Sequence, residues 1–198
     1  LWAEDVFNIP SHLFKRWSTR HGEEAATELA KWYLQEPPLC LWSNDDEVVD
    51  IASLGVEDAT PSKVSSALHI PSNQISAVLQ SEVFAQGKVW VQGETAQRAG
   101  AMLELKPGDR ALDVCAAPGT KAMQLARKGA NVIACDLSAR RLSLMVPEMH
   151  RQGGGLPIQL VACDGGSGLA DGELFDGVLV DAPCSNTGVL GARPGARW

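Results

Sequence analysis

From Ser11 to Arg20 and again from Glu23 to Gln35, the apolar residues Leu13, Phe14 and Trp17, then Ala26, Leu29, Ala30 and Tyr33, return every three or four positions. This predicts two short helices. Pro37-Pro38 stops the second, Leu39 to Trp42 reads as a strand, and Asn44 or Asp45 can cap a helix from Glu47 to Leu54 that Gly55 closes. Val64 to Ile70, Ile75 to Leu79 and Lys88 to Val91 read as further short strands. The succession predicts a small α+β domain over residues 1–92.

After Gly93 the pattern changes. Thr95 to Leu105 reads as a helix, Lys106-Pro107-Gly108-Asp109 as a turn, and Arg110 to Cys115 as a strand. Helix 120–128, strand 132–135, helix 138–152, strand 158–162 and strand 177–180 follow. Strands alternating with helices of this length predict βαβ units in an open parallel sheet over residues 93–198. The fold class is α/β, preceded by the smaller α+β domain.

Composition narrows the class. The 198 residues are 45% hydrophobic and 21% charged, ordinary for a globular chain. No apolar run approaches the roughly 20 residues that span a bilayer, and Leu1-Trp2-Ala3-Glu4-Asp5 has no signal-peptide character, so a cytoplasmic protein without membrane partners is expected. Five cysteines with no C-x-x-C pair, and four histidines without ligand spacing, indicate neither a disulfide framework nor a metal site. The net charge of −7 arises in residues 1–92, with 13 acidic and 6 basic side chains, while residues 93–198 hold 11 of each. A polyanionic partner would therefore need a local basic patch. Arg140-Arg141 reads as a solvated helix face. The missing initiator Met and the halt at Arg197-Trp198 suggest a fragment whose sheet is incomplete on its C-terminal side.

The chemistry concentrates where the strands end. Four consecutive strands run to Asp113, Asp136, Asp164 and Asp181, at the carboxyl edge where open α/β sheets bind ligands. The loop Cys115-Ala116-Ala117-Pro118-Gly119-Thr120-Lys121 leads straight into a helix, whose first N–H groups can receive an anionic group. It lacks the G-x-G-x-x-G of pyrophosphate binders, while Asp136 lies at the offset of about 20 residues from which a carboxylate reaches ribose hydroxyls. A nucleoside without a diphosphate fits this pattern best, and S-adenosylmethionine is one.

The stretches "DVCAAPGTK" from Asp113 and "VLVDAPCSNTGVLGARPGARW" from Val178 resemble two motifs of the NOL1/NOP2/Sun family of RNA cytosine-5 methyltransferases. "IPSHLFKRW" from Ile9 and "VWVQGETAQ" from Val89 resemble the bacterial Fmu/Sun members acting on ribosomal RNA. The resemblance implies a Rossmann-like S-adenosylmethionine-dependent methyltransferase sheet, with residues 1–92 positioning RNA, either ribosomal or transfer RNA. It implies that Cys115 through Lys121 cradle the methionine part of S-adenosylmethionine, Asp136 holds the ribose and Asp164 the adenine amino group. Asp181 and Lys121 would sit beside the methyl and the target base. In this family the nucleophile resembles a cysteine in a Thr-Cys-Ser motif, which does not occur in these 198 residues. Cys184 then corresponds to the cysteine that helps release the product. Thr120, Ala122 and Gly195 depart from the family pattern.

Two other readings stay open. A non-catalytic module binding S-adenosylmethionine or RNA would carry the same loop. A nicotinamide-dependent dehydrogenase is disfavoured by the missing glycines.

Overall fold

The computed structural model describes residues 2–43, 50–63, 67–165, 174–184, 188, 190, 191 and 195. Their contacts group the chain into two units, Leu1–Pro38 with Cys184–Trp198, and Leu39–Pro183.

In the first unit, three helices bury one aromatic core. These are α1 (Trp2–Phe7), α2 (Ser11–His21) and α3 (Glu23–Leu34). Gly22, at φ +87°, makes the turn between α2 and α3 that a side chain would strain. The periodic residues face inward: Phe7, Ile9, Leu13, Ala30 and Tyr33 are buried together with Leu190. Trp17 stacks on Tyr33 with ring centroids 5.7 Å apart, and Trp2 meets Phe7 edge-on at 5.1 Å. The helix at Trp2–Phe7 was not legible as an amphipathic pattern, because six residues barely complete one and a half turns.

The second unit holds two sheets. The first is antiparallel, with β1 (Leu39–Ser43), β2 (Thr60–Pro61), β3 (Ala67–Ile70) and β4 (Val89–Val91) in the order β2-β3-β1-β4. Leu41, Ile70, Val78 and Val89 form its core with Leu54. Ile75 to Leu79, expected as a strand, is instead helix α4 (Ile75–Gln80), followed by α5 (Glu82–Ala85). Pro71 ends the ladder after β3, and a 3-10 turn at Ser72–Gln74 feeds directly into α4, so local hydrogen bonding outweighs the β-branched composition. The expected helix 47–54 begins outside the described residues, as do its caps Asn44 and Asp45; Ile51–Leu54 forms a 3-10 turn capped by Asp50.

The second sheet is parallel and carries the strand-end aspartates. Its strands are β5 (Arg110–Asp113), β6 (Asn131–Asp136), β7 (Ile158–Ala162) and β8 (Gly177–Leu179), in the order β7-β6-β5-β8. Helix α6 (Glu94–Ala101) precedes β5, α7 (Thr120–Arg127) connects β5 to β6, and α8 (Ala139–Ser143) with α9 (Met145–Arg151) connects β6 to β7. The stretch expected as one helix from 138 to 152 breaks after Ser143, because Pro147 removes a donor at the start of the next turn. Ala122, Leu125 and Ala126 of α7 are buried against Ala111, Val132 and Ala134 of the strands. Chain order proceeds from β5 outward to β7 and then returns to β8 on the other side of β5. The crevice between the ends of β5 and β8 is thus the switch point where such sheets take ligands.

The two sheets share a buried polar seam. Trp90 Nε1 donates to Gln92 Oε1 at 3.1 Å, Gln92 Nε2 donates to Gln124 Oε1 at 3.1 Å, and Gln124 Nε2 donates to the Gln97 carbonyl at 2.8 Å. Arg127 lies over the Trp90 ring, 4.1 Å from its centroid. Among the described residues no helix is long and apolar enough to cross a membrane.

Candidate active site

The loop between β5 and α7 folds over the carboxyl edge because its backbone is tied to the strands on both sides. Val114 N–H donates to the Leu179 carbonyl at 2.9 Å, Ala116 N–H to the Cys135 carbonyl at 2.8 Å, and Gly119 N–H to the Ala116 carbonyl at 2.7 Å. Gly119 sits at φ +99°, and a Cβ there would lie 2.5 Å from Met145 Cε. Both the turn and the packing therefore require glycine. The eight-residue α7 starts at the next residue, so the first-turn N–H groups of Thr120 and Lys121 face the crevice end of the sheet.

Lys121 reaches across this edge. Its Nζ lies 2.5 Å from Asp181 Oδ2, the lysine largely buried and the aspartate more than half exposed. Asp113 ends β5 beside them, almost wholly buried, and its Oδ1 has no hydrogen-bond partner among the described residues. Burial pushes its carboxyl up to about 7; Lys121 pulls the other way, and Asp181 and Asp136 add to the rise. A buried carboxyl that titrates near neutrality, next to a lysine and a second carboxylate, is a signature of functional clusters.

Asp136 ends β6 and is also buried. Its Oδ1 accepts the Ser138 N–H at 3.0 Å, while Oδ2 has no hydrogen-bond partner among the described residues and faces the Arg141 guanidinium at 3.3 Å. Asp164 lies two residues beyond β7 and is exposed. Its neighbour Gly165 packs so closely on Val114 that a Cβ would come within 2.4 Å of Val114 Cγ1, which holds this turn against the start of the β5–α7 loop.

The thiols divide by environment. Burial pushes Cys40 up to about 11 and Cys135 up to about 12, the latter helped by a hydrogen bond with Cys163. Cys115 is raised by burial and by the surrounding aspartates Asp136, Asp113 and Asp181. None of these three favours a thiolate. Cys184, three residues beyond Asp181 along the chain, is exposed. The second unit thus brings Cys115 through Lys121, Asp136, Asp164 and Asp181 to one sheet edge, whereas Cys184 falls in the first unit.

Two participants escaped the sequence reading of the site. Asp113 was visible as a strand-end aspartate, but its burial beside Lys121 was not. Arg141, expected as a solvated helix residue, donates from Nη2 to the Ala117 carbonyl at 2.7 Å as well as facing Asp136. The spacing Asp136-x-Ser138-x-x-Arg141 was the available signal.

A family profile described as 16S rRNA methyltransferase RsmB/F matches residues 100–198. Among curated proteins, a ribosomal RNA small subunit methyltransferase B from Xanthomonas campestris is 33% identical over 93% of this chain and 44% of its own length. One from Pseudomonas putida is 45% identical over 56% of this chain and 26% of its own. The chain spans less than half the length of these relatives. Among solved structures, PH0851 superposes with a TM-score of 0.85 at 28% identity, over 98% of this chain and 46% of that one. NSun6 from Pyrococcus horikoshii, solved with SFG, gives 0.77 at 18% identity, over 98% and 74%, a likeness of fold. The parallel sheet with its edge of aspartates is the fold of S-adenosylmethionine-dependent methyltransferases, and the chain belongs to the RsmB/F family of 16S rRNA methyltransferases.

Proposed function

We propose that the protein to which this chain belongs transfers a methyl group from S-adenosylmethionine to C5 of a cytosine in ribosomal RNA. The observation that carries this reading is the Lys121–Asp181 pair at the switch point, beside the buried Asp113. The residues fit the cofactor: Asp136 keeps a buried Oδ2 without a hydrogen-bond partner among the described residues, and the β5–α7 loop offers first-turn N–H groups to a carboxylate. Cys115 through Lys121 hold the methionine part, Asp136 the ribose, Asp164 the adenine amino group, and Asp181 the region of the methyl. The cofactor supplies an electrophilic methyl.

C5 of cytosine is a poor nucleophile. A cysteine thiolate adds to C6 and makes C5 electron-rich; after methylation, loss of the C5 proton and of the thiolate restores the ring. Lys121 and Asp181 orient the base for these steps. Cys184 acts in product release, with the nucleophile in a Thr-Cys-Ser motif of the parent protein. Residues 1–92 position the RNA, and the reaction takes place in the cytoplasm.

Incubating the full-length protein with ribosomal RNA and methyl-labelled S-adenosylmethionine tests the reading. Label recovered as 5-methylcytidine is expected; label on another atom, or none, sinks it. A non-catalytic module would bind S-adenosylmethionine yet transfer nothing.

A further inference from the structure

Asp136 and the β5–α7 loop belong to different crossovers, yet one side chain holds both. Asp136, Leu137 and Ser138 form a tight turn in which Ser138 N–H donates to Asp136 Oδ1 at 3.0 Å. The Ser138 hydroxyl then caps α8 by accepting the Arg141 N–H at 3.2 Å. This cap places Arg141 one turn along, over the carboxylate. Its guanidinium makes two contacts from two nitrogens, Nη1 to Asp136 Oδ2 at 3.3 Å and Nη2 to the Ala117 carbonyl at 2.7 Å.

The two contacts do different work. The Asp136 side chain is 4% exposed, and a carboxylate so buried needs a counter-charge. Arg141, with half its side chain in solvent, supplies that charge from the open side. The Ala117 carbonyl belongs to the loop proposed to hold the methionine part, so the same guanidinium sets the distance between loop and carboxylate. A planar fork can serve two acceptors at once, which a single ammonium cannot do with fixed geometry.

We infer that Arg141 is a positioning residue for the nucleoside cofactor, setting the spacing between the β5–α7 loop and Asp136. The inference rests on the proposed cofactor reading. It predicts a binding defect with little change in turnover at saturation, because Arg141 acts through Asp136 and Ala117 and not at the reacting atoms.

Calorimetric titration of the full-length protein with S-adenosylmethionine and S-adenosylhomocysteine, for wild type, Arg141→Lys and Arg141→Met, tests it, with melting curves run alongside. Arg141→Met is expected to weaken both ligands about 10- to 100-fold, and to raise KM for S-adenosylmethionine by a similar factor while kcat stays within about twofold. Arg141→Lys keeps the charge and should recover part of the affinity. Equal affinity in Arg141→Met and wild type overturns the inference, as does a loss confined to kcat. If Arg141→Met does not fold, Arg141→Lys decides, and wild-type affinity there also overturns it. A wild-type protein that binds neither nucleoside overturns the cofactor reading, and this inference with it.

Discussion

Lys121 Nζ and Asp181 Oδ2 stand 2.5 Å apart although 60 residues separate them in the chain. The contact joins the first turn of α7 to the segment after β8, and those two elements flank β5 at the switch point of the sheet. The pair joins a mostly buried ammonium to a carboxylate that stays more than half exposed.

Lys121→Met and Asp181→Asn should each lower methyl transfer by about 100-fold or more in the full-length protein. Because the two side chains act as a unit, the double variant should lose little beyond the worse single one. Initial rates with labelled cofactor at saturation, compared across the four proteins, check this; additive losses would separate the pair.

Asp113 predicts a pH dependence of stability. Its folded-state carboxyl is raised from 3.8 to about 7, chiefly by burial. Below about pH 3.8 the folded and unfolded chains both hold the proton and the residue costs nothing. As pH rises toward 7 the unfolded chain releases its proton first, so folding loses stability, and above 7 the loss is constant. Asp113→Asn keeps an acceptor for the Cys115 N–H and abolishes the titration. Urea midpoints should show the variant gaining on wild type between pH 5 and pH 8, by up to about 3 kcal/mol at ~1.4 kcal/mol per unit. A gap that stays the same at both pH values would contradict the assignment.

The buried seam of Gln92, Gln97 and Gln124 predicts a cost for removing one member. Gln124→Leu leaves Gln92 Nε2 without its acceptor and removes the second donor to the Gln97 carbonyl, which α6 also engages. The unsatisfied amide costs about 1–3 kcal/mol, visible as a lower urea midpoint at unchanged slope. Gly100→Ala should act on the same seam, since a Cβ there would stand 2.4 Å from Gln124 Oε1.

Thiol labelling should follow exposure. Iodoacetamide at pH 8 is expected to modify Cys184 first and to spare Cys40 and Cys135, whose buried thiols are raised to about 11 and about 12. Peptide mass spectrometry before and after urea gives the order; early labelling of Cys135 would mean that the sheet opens at the carboxyl end of β6.

The sequence by itself determined the elements whose signals are local. Helical spacing around Leu13 and Tyr33, the alternation of strands and helices after Gly93, and the run from Cys115 to Lys121 entering a helix all needed nothing beyond neighbouring residues. The aspartates at the ends of β5 and β6 were legible for the same reason, since a parallel strand delivers its last residue to one known edge, whereas Asp164 and Asp181 lie two residues past β7 and β8. Ile75 to Leu79 was misread because a short run with four apolar residues, Ile75, Ala77, Val78 and Leu79, fits either a strand or a buried helical turn, and Pro71 with the 3-10 turn after it settled the choice. Tertiary structure alone decided which aspartates are buried, that Asp113 lies beside Lys121 and Asp181, and that Arg141 spans from Asp136 to Ala117. Burial and charge pairing depend on strand order, and the return of β8 to the far side of β5 is a long-range choice that no local spacing encodes.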